Sequence, residues 1–409
     1  MDFPVIIVGG GPSGTVCSIH LSSAGIQHLI LESEKFPRDK ACADILTSKA
    51  IRELNLADAR LIKEIEKLPS YQDIWGTLLK IENNEVLDIP YHALEKDGEQ
   101  ASSFAVRRKE LDELLWNEAS SKPFCSAIDG EHVKHIEKKQ QGYEVKTRNG
   151  ISFRTSFIVL AAGSHNRLIK SIGLKDKEAE RHTAIGLRAY YSGVKGLKKD
   201  RCELYLRKDT MPGGFYIAPL GDGSCNVNVV LRKDLVKRKD LNLREVMAVC
   251  FAQDSALAKR FENAVMESAP IGQSLHLATI KRKKYAEGVF LCGDSGGLID
   301  LISANGIPQA LCSARLAATS IAGIISGVYN LEEAGVWYGM ELERTIASDM
   351  KMGRMLSPLM GLSWFNALIL GALSRGQGQG EGGFMQELLY AEEPWKALIQ
   401  KLNPLQRTH

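Results

Sequence analysis

The chain has 409 residues, 44% of them hydrophobic and 25% charged, which suits two or three soluble domains with a large core and excludes wholesale disorder. Lys+Arg 52 against Asp+Glu 49 leaves a net charge of +3, too balanced for a nucleic-acid partner, whose binders concentrate basic charge on one face. Eight cysteines without a C-x-x-C pair offer no zinc or iron–sulfur spacing, so no metal site is expected; scattered through apolar runs, they read as buried thiols in a reducing, cytoplasmic compartment.

The start, MDFPVIIVGGGPSG, has an acid at position 2 and no basic stretch, so it does not read as a signal peptide. Phe3–Val8 is an uninterrupted apolar run, the pattern of a parallel strand buried on both faces. Residues 13–24 read as a helix closed by Gly25, and 28–32 (HLILE) as a second buried strand. From 71 to 106 short alternating stretches predict an antiparallel excursion. A helix is expected over 109–121, then strands at 132–138, 143–147 and 151–154, the last two joined by an Asn149-Gly150 hairpin turn. Residues 157–161 (FIVLA) predict a further buried strand ending at Gly163. The stretch 183–232 is strand-rich, 241–261 helical, and 289–292 (VFLC) a last buried strand, followed by a long helix over 303–326. The remainder reads as helical, broken by the glycine-rich loop 376–383. The buried strands are therefore dispersed, and one nucleotide-binding sheet is assembled from distant pieces.

Gly9-Gly10-Gly11-Pro12-Ser13-Gly14 fits G-x-G-x-x-G between a buried strand and a helix. The first glycine permits the tight turn, the second admits a pyrophosphate to the backbone, and the third lets helix and strand pack closely. The phosphates would lie at the positive end of the helix. Glu32 closes the next strand, placed to accept hydrogen bonds from a ribose hydroxyl pair and to repel a 2′-phosphate.

Ala161-Ala162-Gly163-Ser164 and Gly293-Asp294-Ser295-Gly296-Gly297 each follow their own strand. As a set, these motifs resemble the FAD-binding pieces of glutathione-reductase-like flavoproteins. More narrowly, the chain resembles the geranylgeranyl reductase family, related to para-hydroxybenzoate hydroxylase-like monooxygenases and flavin halogenases. The resemblance implies an α/β fold: a glutathione-reductase-like FAD-binding domain from 1–70, 101–175 and 283–350, an interleaved mixed-sheet substrate domain from 71–100 and 176–282, and a helical C-terminal region, 351–409. It implies FAD held by Gly9, Gly11, Pro12, Ser13 and Gly14 of the first turn. Glu32 and Ser33 would serve the adenosine ribose, and Lys40 lies in a segment passing beside the flavin. Arg108 would reach the phosphate–ribityl region, Ala162, Gly163 and Gly293 the cofactor turns, and Asp294 a ribityl hydroxyl. Asn305, Gly306 and Ile307 would start the helix facing the flavin N1–C2=O edge, where a helix N-terminus stabilises an anionic reduced flavin.

Cys42, Asp44 and Tyr216 are the candidate catalytic residues. Cys42 stands in Lys40-Ala41-Cys42-Ala43 where the family usually has Lys-x-Cys-Gly, and a buried inert thiol is an equal reading. Tyr216 stands for the Trp of a Tyr-x-Trp-x-Phe-Pro motif of which only Pro219 is retained. None of the five tryptophans lies in the halogenases' Trp-x-Trp-x-Ile-Pro segment, which disfavours halogenation. The implied activity is an FAD-dependent reductase or dehydrogenase on an apolar, isoprenoid or lipid-like substrate, with NADH or NADPH as a transient donor. The alternative is an NAD(P)H-dependent monooxygenase hydroxylating or epoxidising through a C4a-hydroperoxide. His132 and His135 read as solvated histidines and 281–284 (KRKK) as a solvated basic loop. Residues 355–374 carry no charge over 20 positions, chiefly as a helical cover for an apolar channel, with peripheral membrane contact as the second reading.

Overall fold

The computed structural model describes residues 2–81, 85–91, 103–164, 167–174, 183–207, 210, 213–238, 240–278, 283–300, 304–356, 359 and 362. The first third runs β1 (Phe3–Val8), α1 (Pro12–Ser23), β2 (His28–Leu31), β3 (Ile45–Thr47), α2 (Ser48–Ala57), α3 (Leu61–Ile65), β4 (Gln72–Ile74), β5 (Gly76–Ile81), β6 (Glu85–Pro90), β7 (Ser103–Ala105) and α4 (Arg108–Ser121). There follow β8 (Cys125–Ile128), β9 (Val133–Lys138), β10 (Tyr143–Thr147), β11 (Ser152–Leu160), α5 (Arg167–Ser171), β12 (Thr183–Ser192), β13 (Arg201–Leu206), β14 (Gly213–Pro219) and β15 (Cys225–Arg232). The chain continues through α6 (Lys233–Arg238), α7 (Leu243–Gln253), α8 (Ser255–Phe261), β16 (Val265–Met266), β17 (Ile271–His276), β18 (Tyr285–Ala286) and β19 (Val289–Leu291). After a 3-10 turn, Gly293–Gly296, come α9 (Ile307–Ile325) and α10 (Leu331–Leu356).

The result is a mixed α/β fold. One sheet has the order β18-β19-β11-β1-β2-β8, extended from β11 by β10 and β9. β1 runs parallel to both β2 and β11, and β11 parallel to β19. The apolar run of β1 needs no alternation because both faces are covered. Val5 and Ile7 join a core with Leu111 of α4 and Leu311 of α9, while Ile6 and Val8 join another with Ile136 and Val145 of the β9–β10 hairpin. Helix α1 begins with Pro12 in its first turn, where the missing N–H breaks no bond. It ends in a glycine-stopped turn, with Gly25 at φ 70° and the Ile26 N–H bonded to Leu21 O.

A second sheet has the order β16-β12-β15-β14-β13-β5-β6, with β17 also on β12. Phe215, Ile217, Val227 and Val229 cover one face beneath Met247, Cys250 and Leu257 of α7 and α8. Tyr216, Asn226 and Asn228, at the alternate positions, face the other way together with Gly214, Ala218 and Val230. A small sheet, β3-β7-β4, lies where Ile74 and Ala105 pack against Tyr190 and Ala218 of the second sheet.

Two expectations change, and one strand has no counterpart among them. The strands expected at 151–154 and 157–161 are one nine-residue strand, since Thr155 turns its side chain back onto the carbonyls of Pro4 and Phe157 and no turn intervenes. The helix expected from 303 starts at Ile307, after the uncapped Gly306. β8 has no apolar run: its residues alternate between half-buried and exposed, and it pairs with β2 in parallel while Cys125 and Ala127 pack against the core. Residues 376–383, and nearly all of 355–374, lie outside the described residues.

Candidate active site

The glycine turn forms one end of the site. Gly11 is extended and no side chain caps α1, leaving the first N–H groups of the helix for an anion. Among the described residues a Cβ on Gly11 would meet nothing nearer than Arg38 Nη2 at 3.5 Å, which leaves room above this glycine for a ligand. Glu32 sits just past β2, buried, with Oε2 accepting from the Gly10 N–H at 2.7 Å. Its Oε1 accepts from Ser33 Oγ at 3.0 Å and the Glu34 N–H at 3.1 Å. Arg38, not singled out in the sequence, lies 3.6 Å from Glu32 and donates to Asp112 at 2.8 Å.

The second end joins segments far apart in the chain. Asp294 Oδ2 lies 3.4 Å from both Lys40 Nζ and Ser164 Oγ. Ser295 Oγ donates to Gly163 O at 2.9 Å, and Ser13 Oγ to Ala310 O at 3.0 Å. Asp294 Oδ1 stands 3.5 Å from where a Cβ on Gly306 would be, so the carboxylate lies beside the uncapped start of α9. The Asp300 N–H donates to Asn305 O at 3.0 Å, just ahead of Gly306 and Ile307. The structure thus brings Gly9–Gly14, Glu32, Lys40, Gly163, Asp294 and Asn305–Ile307 to one side of the first sheet. Arg108 is buried behind them, with Nε and Nη2 each 2.7 Å from Asp112 and a further hydrogen bond to Cys42. Burial alone would raise the Asp112 carboxyl, but Arg108 and Arg38 outweigh it and hold it below its ordinary range.

The segment 38–44 connects this cradle to the second sheet. Arg188 of β12 donates to Asp39 Oδ1 at 2.5 Å and to Lys40 O at 3.3 Å. Cys42 is part-exposed, whereas Asp44 is fully buried with φ 64°. Asp44 Oδ2 accepts from Tyr190 OH at 2.6 Å and Asn226 Nδ2 at 2.7 Å. The Tyr190 ring lies between two guanidiniums, Arg107 at 4.3 Å and Arg188 at 4.0 Å from its centroid. Burial pushes the Asp44 carboxyl up to about 6, against the opposing pull of Tyr190, Asn226, Arg188 and Arg108. Tyr216 is opposite Asn228 on β14, and Asn228 is opposite Arg188, so the three form one row on the sheet face turned from α7 and α8.

Arg188, Tyr190, Asn226 and Asn228 were not singled out in the sequence. Their signal was there: L-R-A-Y and C-N-V-N place polar side chains at every second position of otherwise apolar strands. The basic run departs from its expectation at Lys284, whose Nζ donates to Gly296 O at 2.5 Å and so props the Asp294 turn. His132 and His135 are exposed, and no metal-binding cluster occurs among the described residues.

A model of the FAD binding domain matches residues 2–328. The chain belongs to the FAD-binding domain family. It is 25% identical to a flavin-dependent halogenase of Armillaria mellea, over 83% of this chain and 71% of that one. It is 24% identical to a menaquinone reductase of Mycolicibacterium smegmatis, over 88% and 85%. The fold matches a geranylgeranyl bacteriochlorophyll reductase-like protein of Thermoplasma acidophilum with a TM-score of 0.80 and 16% identity, covering 97% of this chain and 98% of that one. The chain spans about two-thirds of the length of the halogenases it matches, 64% and 66% for two of them. The protein is an FAD-dependent oxidoreductase.

The residues fit FAD: an open glycine, an uncapped helix start and a carboxylate beside them suit a pyrophosphate and a ribose. Glu32→Ala is expected to weaken FAD binding by about 10–100-fold, the value of one charge-assisted hydrogen bond. A fluorescence titration of the apoprotein with FAD measures it, and an unchanged Kd would refute the assignment.

Proposed function

We propose that the chain is a reductase or dehydrogenase that moves hydride to or from an apolar, isoprenoid or lipid-like substrate, with NADH or NADPH as a transient donor. When bound, FAD supplies two-electron hydride chemistry at its N5. The observation that carries the reading is the sheet face beside segment 38–44. Tyr216 and Leu204 lie over Gly214, and Val230 and Leu275 lie beside Gly186, so an apolar strip adjoins the Arg188–Asn228–Tyr216 row. Such a floor suits a hydrophobic chain with one polar end.

Two further observations support it. The menaquinone reductase is covered over 85% of its length, against 71%, 64% and 66% for three curated halogenases. The halogenases' Trp-x-Trp-x-Ile-Pro segment is absent from the sequence. A glutathione-reductase-like arrangement of the first sheet belongs to the same reading. Segment 355–374 would serve chiefly as a cover for the apolar substrate, with contact to a lipid surface as the second reading; among the described residues no helix is long and apolar enough to cross a membrane.

On this reading the chain's residues bind and orient. Arg38 and the start of α1 hold phosphate, Glu32 holds ribose, and Lys40 with Asp294 closes the cradle. Cys42 is the part-exposed polar side chain of the adjoining turn, and Asp44 lies sealed behind it. The test is to reduce the FAD-loaded protein anaerobically, admit oxygen and follow absorbance. Slow, single-step return of the oxidised spectrum is expected. A long-lived intermediate spectrum would overturn the reductase reading in favour of oxygen-using chemistry.

A further inference from the structure

Asp44 combines three unfavourable features: a left-handed backbone on a non-glycine residue, complete burial, and an Oδ1 without a hydrogen-bond partner among the described residues. Each costs free energy, and such combinations persist where the surrounding structure uses them.

Oδ2 is held by donors alone. Asn226 Nδ2 lies 2.8 Å from Cys42 O, a pure acceptor, so the amide nitrogen must point there. The same nitrogen's other hydrogen reaches Asp44 Oδ2, and Asn226 Oδ1 accepts from Asn228 Nδ2 at 3.2 Å. Burial, followed by the charge of Asp44, keeps the Tyr190 hydroxyl protonated, and Asp44 Oδ2 at 2.6 Å is the acceptor toward which it donates. A proton on this carboxyl therefore sits on Oδ1. The groups facing Asp44 are Tyr190 and Arg188 from β12, Asn226 from β15 and Arg108 from α4.

We infer that Tyr190 and Asn226 are positioning residues of the active site. They clamp Asp44 by Oδ2, and through the shared Asn226 amide they fix the part-exposed Cys42 turn against the second sheet. The clamp is strongest when Asp44 is ionised, because hydrogen bonds to a carboxylate exceed those to a neutral carboxyl. Protonation at Oδ1 slackens it, and the Cys42 turn loosens with it. The reaction therefore gains rate as Asp44 ionises. The inference rests on the proposed use of segment 38–44 by the reaction, but its physical core does not.

The first measurement is an infrared titration of the FAD-loaded protein labelled with 13C-aspartate, following the neutral-carboxyl band that vanishes in Asp44→Asn. Tyr190→Phe removes one hydrogen bond to the ionised form and is expected to move the midpoint up by about one pH unit or more. Asn226→Ser serves as the second variant, with the same expected direction. The second measurement is the rate of flavin reduction by NADH or NADPH against pH. The rise with pH expected in the parent moves upward in Tyr190→Phe and is absent in Asp44→Asn. A midpoint in the ordinary carboxylate range, or one that neither Tyr190→Phe nor Asn226→Ser moves, overturns the clamp. A shifted midpoint with an unshifted rate profile overturns its positioning role. The infrared midpoint depends on neither the substrate nor the electron donor, so failure of the clamp stays separate from failure of the reductase reading in the oxygen experiment.

Discussion

Replacing Gly14 by alanine is expected to yield protein that purifies without flavin, its Kd for FAD raised by ~10–100-fold. The added Cβ would lie 1.8 Å from Gly9 O and 3.2 Å from Ile7 Cγ2, so backbone must move. Gly9 has no room to retreat: its φ is 107°, and its own Cβ position is 2.3 Å from Ala161 O at the end of β11. Relief comes only by lifting the start of α1, at about 1–3 kcal/mol of overpacking, and that start is the phosphate site. Gly11→Ala separates the two effects. Only Arg38 lies near that Cβ, so thermal stability is expected to stay at the parent's value while FAD affinity falls. Gly25→Ala is the control: no atom lies within 4 Å, and only its φ of 70° is strained, so FAD binding is unaffected. FAD titrations beside thermal unfolding curves of the three variants decide the matter. A Gly14→Ala protein binding FAD like the parent would sink the cradle.

The contrast between Gly14 and Asp44 shows what was legible in the chain. Gly9–Gly14 and Glu32 lie within one β–α–β unit, where strand, turn and helix follow from local pattern, and the carboxylate meets the Gly10 N–H at a separation of only 22 residues. Gly163 and Asp294 were legible because each ends a buried strand that pairs into the same parallel sheet. Asp44 was legible as a polar position but not as a buried one. Its partners Tyr190 and Asn226 are 146 and 182 residues away, on strands whose register no local signal sets. The same holds for Lys284, whose charge suggests solvent until the turn ending at Gly297 folds beneath it. Arg107 and Arg108 are adjacent yet diverge. Arg107 reaches Asp222, Ser224 and Glu267 around the second sheet, whereas Arg108 turns inward to Asp112. Helix α4 begins between them, so the two side chains leave in different directions.

Asp44 also predicts a stability effect of unusual sign. Its folded pKa of about 6 lies above the roughly 3.9 of an unfolded aspartate. Between those values the folded protein binds more protons than the unfolded chain, so this residue's contribution falls as pH rises through the window. About two pH units at 1.36 kcal/mol each amount to about 3 kcal/mol lost between pH ~4 and pH ~7. Asparagine at this position keeps an acceptor for Tyr190 and Asn226 and has no charge to bury. Relative to the parent, Asp44→Asn should therefore gain about 3 kcal/mol across that interval, seen as unfolding midpoints that diverge with rising pH. The same variant is expected to lose the pH dependence of flavin reduction, so greater stability would accompany impaired function. That pairing is characteristic of a residue kept for activity at the expense of the fold. A constant stability difference from acid to neutral pH would show that Asp44 titrates alike in both states, leaving its burial without functional meaning.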